Sequence, residues 1–478
     1  LNFAVKLSLS PTKSMSQNSE KSPLLPEWKE EDYRQMNEWL QRHRITEVEC
    51  LIPDLTGIAR GKIMPADKFL RKEGLRLPEN LFLQTVTGDW VDEKKIEALN
   101  PADGDMNLQP DPSTICLVPW AQEPTAQVIH DCLHMDRSAI EISPRNVLRR
   151  VLSLYEKEGW GIAIAPELEF YLTKINKDPD YPLAPPVGRS GRPEATGQFY
   201  GIDALNEFDP LFEDMYDYCE AQQLDIDALT HEMGPSQMEI NFIHGDPLRL
   251  ADHVYLFKRT MRETAFRHKV YATFMAKPMA NLPGSALHLH QSLFDLQSKR
   301  NLFANEEGKH TPLFLSFIAG LQTYLPEMMP MIGPNVNSYR RIIPNTAAPI
   351  NVHWGVDNRT VGLRVPFAEQ ADMRVENRLP GADANPYLAM AASLGCGYLG
   401  IRQGLQPDEP LTDSAYYRDY SLPRSLSEAV ALFEDNPVAK ELFGEKFVQI
   451  YSAVKRTEYE AFFQVISTWE REFLLLNV

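Results

Sequence analysis

Apolar residues first recur at helical spacing over residues 28–43, where Tyr33, Met36, Trp39 and Leu40 stand among charged neighbours. That period predicts an amphipathic helix. The period then shortens: residues 47–53 and 59–64 read as two strands around the turn at Gly57, and 114–118 and 127–133 as further strands. Ser143-Pro144 opens a second amphipathic helix over 145–157, with Ser143 as N-cap and proline in the first turn. Residues 384–401 carry no charge, yet Asn385-Pro386 at their start predicts a capped core helix rather than a membrane span. Residues 458–475 read as a closing helix with Thr457 as N-cap, and 179–193 as a proline-bearing surface excursion. No solenoid period or heptad seam is present. The expected fold class is α+β: a tail over 1–27, a small mixed domain over 28–137 and a larger domain over 138–478.

Three segments carry chemistry on the strand period, and a fourth adds to them. In residues 166–172, Glu167 and Glu169 face one way while Leu168 and Phe170 face the other. Residues 284–290 present His288 and His290 in the same manner, and 372–378 present Arg374, Glu376 and Arg378. The segment 231–242 adds Glu232 and Glu239. Taken singly, such motifs describe a solvated strand face, a hydrogen-bonded core histidine or a salt-bridged surface strand. Together they form an oxygen-rich ligand set for hard divalent ions.

Other readings of the same residues fail. His231-Glu232 begins like a zinc-protease helix, but Pro235 stands where the second histidine would be. His130 and His134 diverge on a strand and read as structural. No Walker glycine loop and no Gly-x-Gly-x-x-Gly follows a strand. Phosphates would therefore be held by metal ions and by Arg341, Arg359, Arg364, Arg374 and Arg378.

Composition narrows the class only a little. The chain has 478 residues, 43% hydrophobic and 24% charged, with a formal charge of −18. An acidic balance argues against nucleic acid or an anionic membrane as partner. The five cysteines are scattered without any Cys-x-x-Cys pair, as for free thiols in a reducing, cytoplasmic setting. The first 27 residues lack an apolar signal core, so no signal peptide is expected.

In order and in sequence these segments closely resemble the glutamine synthetase family, in its class I-like branch. The resemblance rests on the Glu-x-Glu strand, on His231-Glu232-x-Gly234-Pro235-x-Gln237-x-Glu239-Ile240-Asn241, and on Lys277-Pro278 leading to Gly284-Ser285-x-x-His288. It continues through Asn337-Ser338-Tyr339-Arg340-Arg341, Asn358-Arg359-Thr360, Arg364-Val365-Pro366 and Arg374-x-Glu376-x-Arg378. It implies an N-terminal β-grasp module followed by a catalytic domain with a curved antiparallel sheet and surrounding helices. It also implies two Mg²⁺ or Mn²⁺ sites: Glu169, Glu232 and Glu239 for one, Glu167, His288 and Glu376 for the other.

By the same resemblance Gly284, Arg341 and Arg378 would bind L-glutamate. Arg359 and Arg364 would stabilise the transferring phosphoryl group, and Asp227, His290, Ser292 and Arg374 would lie toward ATP. Asp227 stands where the family often has Glu. Asp54 would reach the neighbouring subunit's active site and help deprotonate the incoming amine, which implies a homo-oligomer, a ring of six or a double ring of twelve. Its alternative is a turn residue before Thr56-Gly57.

The match departs at the flap that follows Arg341. Ammonia-using members carry Glu two positions before the flap proline, whereas this chain reads Pro344-Asn345-Thr346-Ala347-Ala348-Pro349. Ala347 removes a charge that would hold ammonium and opens volume beside the nucleophile. This fits the branch that joins glutamate to organic amines, with a monoamine bearing an apolar group favoured over a polyamine. The alternatives are an ammonia-using synthetase, a ligase for another carboxylate, which Pro283 before the Gly-Ser leaves open, and an inactive ring-forming relative. The tyrosine motif that class I members adenylylate has no counterpart around Tyr416, Tyr417 and Tyr420, so no such regulation is expected.

Overall fold

The computed structural model describes residues 29–70, 74–92 and 103–478. The expected tail lies outside them. The first helix, Glu30–Arg42, turns Met36 and Leu40 inward. They pack on Val48, Cys50, Ala126 and Val128. Leu51 and Ile129 point into the main core instead, so these central strands are buried on both faces.

Those strands belong to a six-stranded sheet of order β2-β1-β6-β4-β3, with β5 on β6. Its members are β1 (Glu47–Pro53), β2 (Ala59–Pro65), β3 (Leu75–Pro78), β4 (Asp105–Pro110), β5 (Cys116–Leu117) and β6 (Thr125–Leu133). β1 and β2 form the expected hairpin, while β1 and β6 run parallel. Sequence periodicity missed β3 and β4, which are short and end in proline.

The second sheet has eight strands in the order β12-β13-β14-β11-β7-β9-β8, with β10 on β7. They are β7 (Trp160–Lys174), β8 (Ile226–His231), β9 (Gln237–Phe242), β10 (Val270–Thr273), β11 (Leu287–Asp295), β12 (Trp354–Val356), β13 (Leu363–Val365) and β14 (Val375–Asn377). All pairings are antiparallel except β12 with β13. The 15-residue β7 is the spine, flanked by β11, β9 and β10. One face is covered by helices, among them Pro144–Lys157, Pro247–Arg267 and Pro386–Gln403. The last is capped by the Asn385 side chain, as its sequence predicts, and ends at left-handed Gly404. It meets the helix Pro312–Tyr324 backbone to backbone, since a Cβ on Gly400 would lie 2.1 Å from the Ser316 carbonyl oxygen. Among the described residues no helix is long and apolar enough to cross a membrane.

Three local expectations are corrected. Ser143 occupies the N-cap position but its side chain makes no capping bond. Thr457 lies inside the helix Glu445–Phe463, its hydroxyl donating to the Ala453 carbonyl at 3.0 Å. The expected closing helix is therefore two, the second being Thr468–Leu474, capped by Ser467 and Glu470.

The first sheet is tied to the helix Pro247–Arg267 by a buried cation. Arg145, 1% exposed, donates to both oxygens of Asp252 at 2.9 and 2.7 Å. It also reaches Asp111, beside β4, and Asp131 of β6. A charge so deeply placed is tolerated only because carboxylates surround it.

Candidate active site

Strand register assembles the acidic cluster. Glu167 on β7 lies opposite His288 on β11, Glu169 opposite Glu239 on β9, and His290 opposite Glu376 on β14. Glu232 comes from the turn between β8 and β9 rather than from a strand, and Arg374 and Arg378 flank β14. Glu169, Glu232 and Glu239 bring ligand atoms within 4.8 Å of one another. Glu167 does so with His290 and Glu376, and again with Glu239 and His288. His288 Nδ1 stands 3.4 Å from Glu167 and 3.7 Å from Glu376.

The two imidazoles have different tasks. Arg374 Nε donates to His290 Nδ1 at 3.2 Å, which leaves the His290 Nε2 proton to donate to Glu167 at 2.9 Å. A nitrogen carrying a proton is not a metal ligand, so His290 orients Glu167, while His288 remains available as a donor.

The electrostatics fit a cation site. Burial, reinforced by the charge of Glu169, pushes the Glu232 carboxyl up to about 8. Burial and the neighbouring carboxylates Glu167, Glu169 and Glu232 drive Glu239 well above the usual range. Carboxylates that repel one another this strongly bind a proton where a divalent cation would serve better. Across the cluster, burial opposes ionisation of Glu376, but the charge of Arg378 prevails and holds it near 2. Five carboxylates with one free imidazole suit Mg²⁺ or Mn²⁺.

Close-packed backbone holds the ligands in place. The Ala286 amide donates to Glu169 at 2.9 Å, and Gln237 bridges Glu169 to the Gly284 carbonyl. Gly234 admits no side chain, because a Cβ there would lie 2.1 Å from the Tyr171 hydroxyl oxygen. Glu194, which sequence reading passed over, accepts from His231 Nε2 at 3.1 Å and from the Ser236 amide at 2.6 Å. It pins the turn carrying Glu232 from the end of the supposed surface excursion. A single loop acid has no periodicity to announce it.

The arginines surround this cluster. Arg378 and Arg364 donate to the two oxygens of Glu376 at 2.5 and 2.9 Å, and Arg364 also reaches Asp357 at 2.7 Å. Arg341 ends a short helix, Ser338–Arg341, and donates to the Arg378 and Leu379 carbonyls. Arg359 is exposed, and its charge acts on the Tyr200 phenol. A cleft of about 1300 Å³ is lined by Glu167, Asp227, His290, Ser292 and Arg374 together with Trp160, Phe242 and Phe294. Charged and aromatic walls in one cleft suit a nucleotide.

Two expected residues stand apart. Asp54 is fully buried in its own turn: Oδ1 accepts from the Thr56 amide and hydroxyl and the Ile58 amide, and Oδ2 from Arg60 at 2.8 Å. Its carbonyl accepts from Asn385. Its observed geometry is thus that of the turn residue. Ala347 is exposed in the flap with φ of 61°. A left-handed alanine costs about 1 kcal/mol and persists where its surroundings fix it.

The family model for the glutamine synthetase catalytic domain matches residues 141–474. A glutamate–isopropylamine ligase from a Pseudomonas species is 35% identical over 445 residues, covering 91% of this chain and 96% of that protein. A γ-glutamylputrescine synthetase from Escherichia coli (strain K12) is 33% identical over 455 residues, covering 93% and 95%. The solved structure described as apo GmaS without ligand superposes with a TM-score of 0.77 at 27% identity, covering 92% of this chain and 99% of that one. The acidic cluster, the arginines around it and these likenesses agree: the chain belongs to the glutamine synthetase family.

Proposed function

We propose that this chain is an ATP-dependent ligase that joins the γ-carboxylate of L-glutamate to an organic amine through γ-glutamyl phosphate. The observation that carries the reading is the continuity of the nucleotide-sized cleft with the acidic cluster through Glu167 and His290. Glu169, Glu232 and Glu239 would hold one Mg²⁺ or Mn²⁺ and Glu167, His288 and Glu376 a second. Bound there, the ions supply charge neutralisation for the phosphates. Arg359 and Arg364 face the phosphoryl group, Arg341 and Arg378 the carboxylates of glutamate beside Gly284, and Asp227, Ser292 and Arg374 the nucleotide. The amine nitrogen then attacks the acyl carbon, the bond to phosphate oxygen breaks and releases inorganic phosphate, and the proton lost by the nitrogen passes to solvent. Asp54, which four hydrogen bonds hold in its own turn, is read as serving the neighbouring subunit's site, where it would help deprotonate the incoming amine.

The amine is read as organic from Ala347, which offers no charge to hold ammonium, and from relatives named for isopropylamine and putrescine. A monoamine with an apolar substituent is favoured over a putrescine-type polyamine. Glu79, one candidate for a second ammonium, is paired with Lys446 at 2.6 Å. The domains are taken as 28–137 and 138–478, and the setting as cytoplasmic, in keeping with five buried free thiols. A homo-oligomeric ring of six, or a double ring of twelve, accords with the apolar side chains exposed near the C-terminus, among them Phe463, Ile466, Trp469 and Leu476.

Phosphate release with ATP, Mg²⁺ and glutamate, measured across a panel of monoamines, polyamines and ammonia, tests the reading. Monoamines are expected to turn over fastest. Putrescine in first place would move the assignment to the polyamine class, and ammonia in first place would overturn it.

A further inference from the structure

We propose that Tyr416 is the positioning residue that holds the flap 344–349 closed beside the glutamate-binding arginines, and thereby directs the acyl phosphate to amine rather than water. The inference rests on the ligase reading above and concerns a residue to which that reading gives no role.

Three separate segments meet at Tyr416 and the residue before it. The Tyr416 hydroxyl donates to the Ala348 carbonyl at 3.1 Å, one residue beyond Ala347. Its own short helical turn, Ala415–Tyr417, is anchored through both backbone polar groups of Ala415. The Ala415 amide donates to the Thr360 hydroxyl at 2.9 Å, and the Ala415 carbonyl accepts from Asn351 Nδ2 at 2.9 Å. Thr360 follows Arg359 directly, and its amide and hydroxyl both bond to Asn358 Oδ1. The phenol is half-buried, and the charges of Arg378 and Arg341 act on it. One hydroxyl thus links the flap to the loop that bears the phosphoryl-side arginine, next to both arginines assigned to glutamate.

The flap needs such a tie. Asn345 and Ala347 both hold left-handed backbone, at φ of 60° and 61°, without being glycine. Among the described residues the flap's own side chains make one bond, and it is local, from the Thr346 hydroxyl to the Ile343 carbonyl at 2.8 Å. Strained backbone persists where surrounding contacts over-determine it, and Tyr416 supplies the contact from outside the flap. If the flap opens, water attacks the acyl carbon in place of the amine. The bond to phosphate oxygen breaks, glutamate and phosphate leave, and a proton passes to solvent.

The test measures phosphate and γ-glutamylamide in the same reaction of the full chain with ATP, Mg²⁺, glutamate and the best amine of the panel. Wild type is expected to give one amide per phosphate. Tyr416→Phe, which deletes only the hydroxyl, is expected to give clearly less amide than phosphate. Its KM for the amine should rise up to about tenfold, the range one neutral hydrogen bond can set, while KM for ATP stays within about twofold. Tyr417→Phe, at a neighbour 78% exposed, should match wild type. A Tyr416→Phe enzyme that stays fully coupled, or that loses phosphate release and amide in parallel, overturns the inference and leaves the ligase reading standing. A wild-type chain that forms no amide with any amine of the panel removes both.

Discussion

Gly284 lies flat against the side chain of Arg341: a Cβ at position 284 would stand 2.6 Å from Arg341 Cγ and 2.6 Å from the Ala276 carbonyl oxygen. Real Cβ atoms do not approach so closely, and the backbone oxygen cannot yield. Gly284→Ala should therefore push the guanidinium of Arg341 off its seat on the Arg378 and Leu379 carbonyls. The expected outcome is a glutamate KM raised tenfold or more, of order 1.4 kcal/mol, with KM for ATP little changed. Steady-state kinetics with each substrate varied separately checks it; equal rises in both constants would refute the assignment of Arg341 to glutamate.

The repulsion that raises Glu232 and Glu239 is a stability cost to the metal-free protein. Glu239→Gln puts a neutral group of the same shape in place of a carboxyl that must otherwise take up a proton on folding. In EDTA this variant should melt at or above the wild-type temperature. Mn²⁺ should then stabilise wild type, by about 2.7 kcal/mol at a hundredfold excess over Kd, and the variant far less. Thermal melts with and without Mn²⁺ decide this without any activity measurement. A variant stabilised by Mn²⁺ as strongly as wild type would remove Glu239 from the ligand set.

Ala347 should set amine preference through charge and volume. Ala347→Glu places a carboxylate where an apolar substituent would sit, in a left-handed backbone that glutamate adopts no more easily than alanine. Activity with bulky amines should fall severalfold relative to ammonia. An unchanged ratio across the amine panel would detach Ala347 from selectivity.

Burial holds the His130 imidazole down, near 4, inside β6. Between the ordinary value of about 6.5 and that value the unfolded chain binds a proton that the folded chain refuses. Stability from this group is complete above pH 6.5 and declines as pH falls through the window, by about 1.4 kcal/mol per pH unit. His253, held near 4 by burial and by Arg249, adds to the same slope. Urea unfolding at pH 7, 6 and 5 should show a shallower loss for His130→Gln than for wild type, and parallel slopes would contradict the assignment.

Local sequence determined those parts of this protein whose signal is local. Period-2 alternation marked Glu167, Glu169, His288 and Glu376 as strand residues with their carboxylates and imidazole on one face. Asn385-Pro386 marked the start of a helix, and Asp54-Leu55-Thr56-Gly57 marked a turn, which is the geometry Asp54 adopts. Only the tertiary structure decided what depends on register and on single long-range contacts. Strand pairing chose which carboxylates became neighbours. The bond from Arg374 to His290, 84 residues apart, orients the His290 ring toward Glu167. Glu194 reaches His231 from a loop 37 residues away, and Tyr416 reaches Ala348 across 68. No pattern of period 2 or 3.6 encodes such contacts, because each involves one side chain whose neighbours in sequence do not repeat it.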